Sequence, residues 1–277
     1  MVTLHCISFL TDYGLEDGFV AACHGVVARI SPATPVIDIT HLVAPGDVRR
    51  GAAVLAQTVP YLPAGVHVAV VDPGVGTDRR AVAVQAGGRV FVGPDNGVLS
   101  WATRAAGGPH RAYELTNSAL WLEPVSATFH GRDVFAPVAA HLANGLELPA
   151  VGEEVRVDTL VTLPQPIRRV GTGGAGGAGG AEGEVLTVDR FGNVQLSVAA
   201  ADLAEMGVRG GATITVTLGE DRVSVPYRET FGSVPPGELV GYADSAGWLA
   251  LAVNGGNAAR RLGLSPGTPV RITIDPA

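Results

Sequence analysis

The chain has 277 residues, of which 47% are apolar and 16% charged, and its formal net charge is −7. That much apolar chain supports one large core or two ordinary ones and excludes a disordered polypeptide. Every one of the 19 basic residues is arginine, which excludes Schiff-base, P-loop and kinase-type lysine chemistry, while the acidic balance excludes a typical nucleic-acid partner.

From the N-terminus, Leu4 to Leu10 is a short apolar run ending in the loop Thr11-Asp12-Tyr13-Gly14. Gly18 to Ile30 then carries Phe19, Ala22, Cys23, Val26, Val27 and Ile30 at helical spacing and stops at Ser31-Pro32. Val36 to Ile39 reads as a strand, Asp47 to Val59 as a helix, and His67 to Val71 as a continuous apolar strand closed by Asp72. Apolar strands alternating with helices predict a mainly parallel α/β sheet. From Arg80 to Val92 the period switches to two around a Gly87-Gly88 turn, the pattern of a hairpin.

Residues 171–183, GTGGAGGAGGAEG, are too rich in glycine to order without outside contacts, and Pro164 and Pro166 lie just upstream. The expected organisation is an N-terminal α/β domain over 1–164, a linker over 165–183 and a smaller C-terminal domain over 184–277. In that last part Glu184 to Val188, Val194 to Val198, Ala212 to Leu218, Arg222 to Pro226, Gly247 to Val253 and Val270 to Ile274 read as strands, and only Asn257 to Leu262 reads as helix. Many short strands with glycine-rich turns predict a small all-β barrel or sandwich.

Cys6 and Cys23 read as buried small apolar residues, because no CxxC is present. In His5-Cys6 and Cys23-His24 neighbouring side chains point apart, so neither pair converges on an ion, and no metal is expected. The apolar runs, such as Trp248 to Val253, are too short to cross a bilayer, which takes about 20 residues. The N-terminus has no basic leader. A soluble cytoplasmic protein is expected.

In an open α/β sheet, ligands sit beyond the carboxyl ends of the strands, and Asp12, Asp17 and Asp72 fall at such places. The run from Asp72 to Arg80, DPGVGTDRR, turns sharply and has two glycines for close backbone approach. It fails both nucleotide fingerprints: no lysine follows, and the next segment is strand. Asp72 is open to two readings at this point, a turn residue capping local amides or a functional acid. Residues 128–133, TFHGRD, gather Phe129, His130 and the ion-pair candidates Arg132 and Asp133. His130 is singled out by those neighbours, while His5, His24, His41, His67, His110 and His141 read as structural. Asp189 to Asn193, DRFGN, is either a plain hairpin turn or a base-recognition turn in which Phe191 stacks and the Asn193 amide reads polar edges.

Taken together, TDYG, VVDPGVGTDRR, VGPDNG, TFHGRD, DRFGNV, YADSAG and AVNGG resemble the S-adenosylmethionine hydroxide adenosyltransferase family, relatives of the fluorinating and chlorinating enzymes, along nearly the whole chain. The resemblance implies an N-terminal α/β domain joined to a C-terminal β-barrel, and a homotrimer with sites at subunit interfaces. It implies hydrolysis of S-adenosyl-L-methionine to adenosine and L-methionine, with that molecule as substrate and no cofactor or metal. Asp72, Arg79 and His130 match the residues that activate water, Arg79 being preferred over Arg80 by its place in GTDRR. Asp12 matches the carboxylate on the ribose diol and Asp17 an acid near the methionine portion. Phe191, Asn193, Phe231, Asn254 and Gly255 match positions around the adenine, Tyr242 and Ser245 the methionine end, and Phe129 accompanies His130 in the site.

The halogenating relatives lack the acid equivalent to Asp72. A carboxylate 4 Å from a halide repels it by about 4 kcal/mol at an effective dielectric of 20, so water is the expected nucleophile. A halide-dependent, chlorinase-like adenosyl transferase and a non-catalytic sensor of an adenosyl ligand are the alternatives.

Overall fold

The computed structural model describes residues 4–171 and 179–274. The chain divides into two compact units, Met1–Pro164 and Gln165–Ala277.

In the first unit, strand β1 (Ile7–Thr11) leads to helix α1 (Phe19–Ile30), β2 (Val36–Thr40), α2 (Val48–Thr58) and β3 (Val66–Val70). All five residues of β1 and of β3 are buried, as continuous apolar strands covered on both faces require. Asp47 starts α2 by accepting the Arg50 amide at 2.9 Å, an ordinary N-cap. Then come β4 (Ala81–Ala86), β5 (Arg89–Pro94), α3 (Ser100–Ala105), β6 (Arg111–Glu114), α4 (Ala136–Ala143) and β7 (Glu153–Val155). The sheet order is β2-β1-β3-β5-β4-β6-β7. Its first four strands are parallel and β4, β6 and β7 add antiparallel pairings, so the sheet is largely parallel. Gly87 and Gly88 both have positive φ, 52° and 73°, as a two-residue hairpin turn demands.

Side chains alternate between two cores. Ile7, Phe9, Val66, Val68 and Val70 pack with α1 and α4, whereas Leu10, Ala69 and Val71 pack with α2 and α3. Cys6 and Cys23 are free and buried, and burial pushes the Cys23 thiol up to about 12, so it stays protonated and apolar.

In the second unit β8 (Arg168–Gly171) pairs with β9 (Gly180–Val188), followed by β10 (Val194–Ala199), α5 (Ala200–Glu205), β11 (Thr213–Leu218), β12 (Asp221–Pro226), β13 (Leu239–Ala243), β14 (Trp248–Val253), α6 (Ala258–Leu262) and β15 (Pro269–Ile274). The strands run antiparallel in the order β12-β11-β15-β9-β10-β14-β13. The Tyr227–Gly241 bridge draws the two edges together into a nearly closed barrel around Val185, Leu196, Ile214, Leu249 and Leu251.

Two expectations change. The stretch read as linker carries ladder at both ends, Arg168–Gly171 against Gly180–Gly183, and its glycine-rich centre, 172–178, lies outside the described residues. A second helix, α5, stands between two of the expected strands, in a stretch to which no element was assigned. It is fixed by Asp202, whose carboxylate accepts the Ala199 amide at 2.8 Å and meets Arg168 at 2.7 Å, contacts no periodicity announces.

Candidate active site

The parallel pairing of β1 with β3 sets Thr11 opposite Val70, so Asp12 and Asp72 leave the sheet at the same carboxyl edge. Asp72 and Arg79 are nearly buried, with side chains 5% and 11% exposed. The Arg79 Nε donates to Asp72 Oδ1 at 3.1 Å and to Oδ2 at 2.9 Å, and Nη2 donates to Oδ2 at 2.6 Å. The same Nη2 lies 2.9 Å from His130 Nδ1. A guanidinium can only donate, so Nδ1 accepts and a neutral His130 holds its ring proton on Nε2. Burial, and after it the charge of Arg79, hold the His130 pKa below the usual imidazole value, while Asp72 and Asp133 act in the opposite direction. The Arg79 guanidinium also lies 5.2 Å from the centre of the Phe135 ring.

The turn that brings Arg79 back onto Asp72 uses one of its two glycines for close approach. Gly76 has φ 77°, and a Cβ there would stand 2.5 Å from the Ala127 carbonyl oxygen. Gly74 is not tight. Arg80 faces elsewhere, donating to Asp95 Oδ2 at 2.9 Å and to the Thr159 carbonyl at 2.6 Å. Asp95 in turn accepts the Val161 amide at 2.8 Å. The two adjacent arginines therefore split cleanly, Arg79 to the Asp72–His130 cluster and Arg80 to a loop anchor.

His130 begins a π-helical turn, Gly131–Phe135, that runs into α4. Such turns displace a side chain from the regular helical path and recur at functional sites. Asp133 is fully buried and fastens the preceding loop, accepting the Ser126 amide at 2.8 Å and pairing with Arg132 at 2.6 Å. Phe129 packs edge-on against Tyr13 and Phe19, with ring centres 5.6 and 5.2 Å away. A Cβ on Gly131 would fall inside the Tyr13 hydroxyl, so only glycine lets that ring lie against the start of the turn. Asp12 accepts the Gly46 amide at 2.8 Å, which fixes its carboxylate, and Asp17 is exposed in the following loop.

In the second unit, Asp189 organises its turn. Its carboxylate accepts the Phe191 and Asn193 amides, each at 2.9 Å, and the Asn193 side-chain NH2 at 2.8 Å. That leaves the Asn193 carboxamide oxygen free of the carboxylate. Gly192, with φ 86°, abuts the Asn257 carboxamide that caps α6. Phe191 and Phe231 are exposed, and Phe231 lies 6.2 Å from Tyr242. Burial raises the Tyr242 pKa, with Asp189 and Asp244 adding to it. Asn254 holds the Phe231 segment by donating to the Val234 carbonyl at 2.7 Å, and Gly255 follows it with φ 73°. Ser245 is exposed in the β13–β14 turn, and Asn254 follows the other end of β14.

The chain matches the SAM hydroxide adenosyltransferase N-terminal domain over residues 7–152 and the C-terminal domain of the same family over 183–271. It belongs to the SAM hydroxide adenosyltransferase family. It is similar to a protein of Salinispora tropica named (R)-S-adenosyl-L-methionine hydrolase, 58% identical with 96% of this chain and 97% of the relative covered. A fluorinase of Nocardia brasiliensis is 28% identical, with 97% and 96% covered. A crystal structure of an uncharacterized conserved protein from Thermotoga maritima superposes with a TM-score of 0.89 at 37% identity, covering 96% of this chain and 99% of that one.

Within this member of the adenosyltransferase family, the Arg132–Asp133 ion pair orders its loop as expected, whereas Tyr13, and Asp189 as the organiser of its turn, were not singled out in the sequence. Tyr13 sits inside the TDYG string, and the glycine of TFHGRD that receives it was the available signal. Asp189 binds the Phe191 and Asn193 amides and the Asn193 side-chain NH2, contacts that its place in DRFGN did not single out.

Proposed function

We propose that this chain hydrolyses S-adenosyl-L-methionine to adenosine and L-methionine by in-line attack of water on the ribose 5′-carbon. The observation that carries the reading is the continuous Asp72–Arg79–His130 chain beyond the carboxyl end of β3. The Salinispora tropica relative is named for the R epimer at sulfur, and the R sulfonium is the substrate proposed here.

As the oxygen–carbon bond forms, the carbon–sulfur bond breaks and its electron pair leaves on sulfur as the neutral thioether of methionine. The departing side needs no proton. On the attacking side, the water proton passes to a base and then to solvent. Within the triad, His130 Nδ1 is already filled by the Arg79 donor and Nε2 carries the ring proton, so His130 offers a donor to the attacking oxygen. Among the described residues Asp72 Oδ1 accepts one bond, from Arg79 Nε, and this reading makes that oxygen the proton acceptor. Pairing with Arg79 weakens that base. A weak base suffices, because the attacking water becomes a strongly acidic oxonium as its bond to carbon forms. The lowered pKa of His130 keeps the ring neutral, and so able to accept from Arg79, around neutral pH.

In this reading Asp12, its carboxylate steadied by the Gly46 amide, accepts both ribose hydroxyls. Holding oxygen, carbon and sulfur in line then supplies most of the acceleration. Phe129 walls the water side, Asp17 lies toward the methionine portion, and Phe191, Asn193, Phe231, Asn254 and Gly255 meet adenine, with Tyr242 and Ser245 at the methionine end. The reaction uses no metal or organic cofactor. The same reading makes the enzyme a cytoplasmic homotrimer with sites at subunit interfaces. The exposure of Phe191 and Phe231 supports a covering partner or ligand, and among the described residues no helix is long and apolar enough to cross a membrane.

The test is to incubate the R and S sulfonium epimers with the protein in heavy-oxygen water, with and without chloride, and separate the products by mass. Labelled adenosine plus methionine from the R epimer, independent of chloride, is expected. A chloride-dependent 5′-chloro-5′-deoxyadenosine product would replace the hydrolytic reading, and unchanged but bound substrate would make the protein a sensor.

A further inference from the structure

Three ligand-capable side chains meet at the β2 edge of the first sheet. His24 on α1, Asp38 on β2 and His41 just beyond β2 bring one donor atom each to within 4.8 Å of one another. His24 Nε2 lies 2.9 Å and His41 Nε2 3.0 Å from the same oxygen, Asp38 Oδ1. Neighbouring ligand atoms in a tetrahedral site with metal bonds near 2.0 Å stand about 3.3 Å apart, so each imidazole–carboxylate separation needs to open by only a few tenths of an ångström.

The backbone is shaped for this meeting. Residues three apart on a regular strand face opposite sides of the sheet. Here the β1–β2 ladder pairs Phe9 with Asp38 but Leu10 with Thr40, skipping Ile39, and the slip lets Asp38 and His41 turn to the same side, toward α1. The Phe9 ring floors the group, 6.1 Å from the His24 ring and 5.4 Å from His41.

His41 is 97% buried, and its two nitrogens differ. Nδ1 is held by Thr11 Oγ1 at 2.9 Å, the outer contact that orients a ligating imidazole. Nε2 has no aligned hydrogen bond among the described residues, although Asp38 is close. His24 and Asp38, with side chains 34% and 42% exposed, leave a path to solvent and a position for water.

We propose that His24, Asp38 and His41 form a site for one divalent transition-metal ion of the zinc type, two imidazoles and one carboxylate. The ion ties α1 to the β2 edge and, through Thr11 and the Gly14 amide that donates to the His41 carbonyl at 2.8 Å, to the loop carrying Asp12. It takes no part in the proposed hydrolysis. Cys23, next to His24, points into the core and is not a ligand.

The experiment uses tag-free full-length protein, stripped with chelator and titrated with Co²⁺, then with Zn²⁺ as competitor. A visible d–d absorption that saturates at one ion per chain and is erased by Zn²⁺ is expected, with a Zn²⁺-dependent rise in unfolding temperature. His24→Gln, at a half-exposed helical position, lowers Co²⁺ affinity at least about tenfold and abolishes the thermal shift; Asp38→Asn does the same, and His110→Gln does neither. No Co²⁺ absorption at millimolar metal, or equal affinity in wild type, His24→Gln and Asp38→Asn, would overturn the site.

Discussion

The two units hold their candidate residues in opposite ways. In the first, Asp72, Arg79 and His130 are sheltered and bonded to one another, so each side chain's position depends on the other two. In the second, Phe191 and Phe231 stand exposed, on segments held by contacts to the backbone such as those from Asp189 and Asn254. A charge network is preorganised before any ligand arrives, which suits bond-making chemistry. Exposed aromatic faces on fixed turns suit recognition, because they gain most of their burial when something covers them. Substitutions in the first unit should therefore disturb turnover and stability together, and substitutions in the second should disturb affinity alone.

Asp72→Asn presses hardest on that contrast. Removing the charged acceptor should lower kcat by about 10²–10⁴-fold with KM changed only a few-fold. It also leaves Arg79 without its counter-charge in a nearly buried place, at a cost of up to about 3–5 kcal/mol in stability. Steady-state kinetics and denaturant unfolding read the two effects separately. Normal turnover in this variant would remove Asp72 from the mechanism and dissolve the distinction between the units.

Histidine protonation should act on the first unit alone, since all seven histidines lie before residue 142. His67, fully buried on β3 and bonded through Nδ1 to Ser8 Oγ at 2.8 Å, has its pKa lowered to about 4, mainly by burial and then by Arg89. Between pH 6.5 and 4 the unfolded chain binds this proton and the folded one does not. The contribution is therefore intact above about pH 6.5 and is lost as pH falls toward 4, in all about 3 kcal/mol. Replacing both partners, as Ser8→Ala with His67→Val, should flatten the decline in unfolding free energy by about that amount over this range. An unchanged decline would place the acid sensitivity elsewhere.

Gly131→Ala tests whether the packing around His130 matters as much as its charges. The added methyl collides with the Tyr13 hydroxyl and should cost about 1–3 kcal/mol in unfolding free energy, with turnover falling as the π-helical turn shifts. Tyr13→Phe in the same background removes the colliding oxygen and should restore much of both. Equal losses in single and double variants would mean that the contact is not what positions His130.

How far the sequence revealed this arrangement depended on whether a residue's partner was local. The parallel strands, α1, α2 and the Gly87-Gly88 hairpin were legible because periodicity reports which face is buried. Arg79 could be chosen over Arg80 only by resemblance to a family pattern. The physical ground is that Arg80 finds Asp95 and the Thr159 carbonyl, partners 15 and 79 residues away. Tyr13 and α5 were missed for the same reason, since each is defined by a contact across the fold, whereas the Arg132–Asp133 pair, local in sequence, was legible. The His24–Asp38–His41 group was invisible too: Asp38 and His41 would face apart on a regular strand, and the skipped residue in the ladder is a property of the pairing with β1.

Phe191→Ala gives the smallest and most selective effect. The ring is 68% exposed, so truncation should leave the unfolding temperature within experimental scatter. Loss of base stacking should weaken binding of adenosyl ligands by about 1–3 kcal/mol, raising KM roughly tenfold or more with kcat held within a few-fold. Adenosine binding by calorimetry should weaken in step, and methionine binding should not, because Phe191 is assigned to the adenine. A fall in kcat at unchanged KM would instead mean that the second unit helps place the reacting atoms, and the division between a chemical unit and a recognition unit would fail at its simplest test.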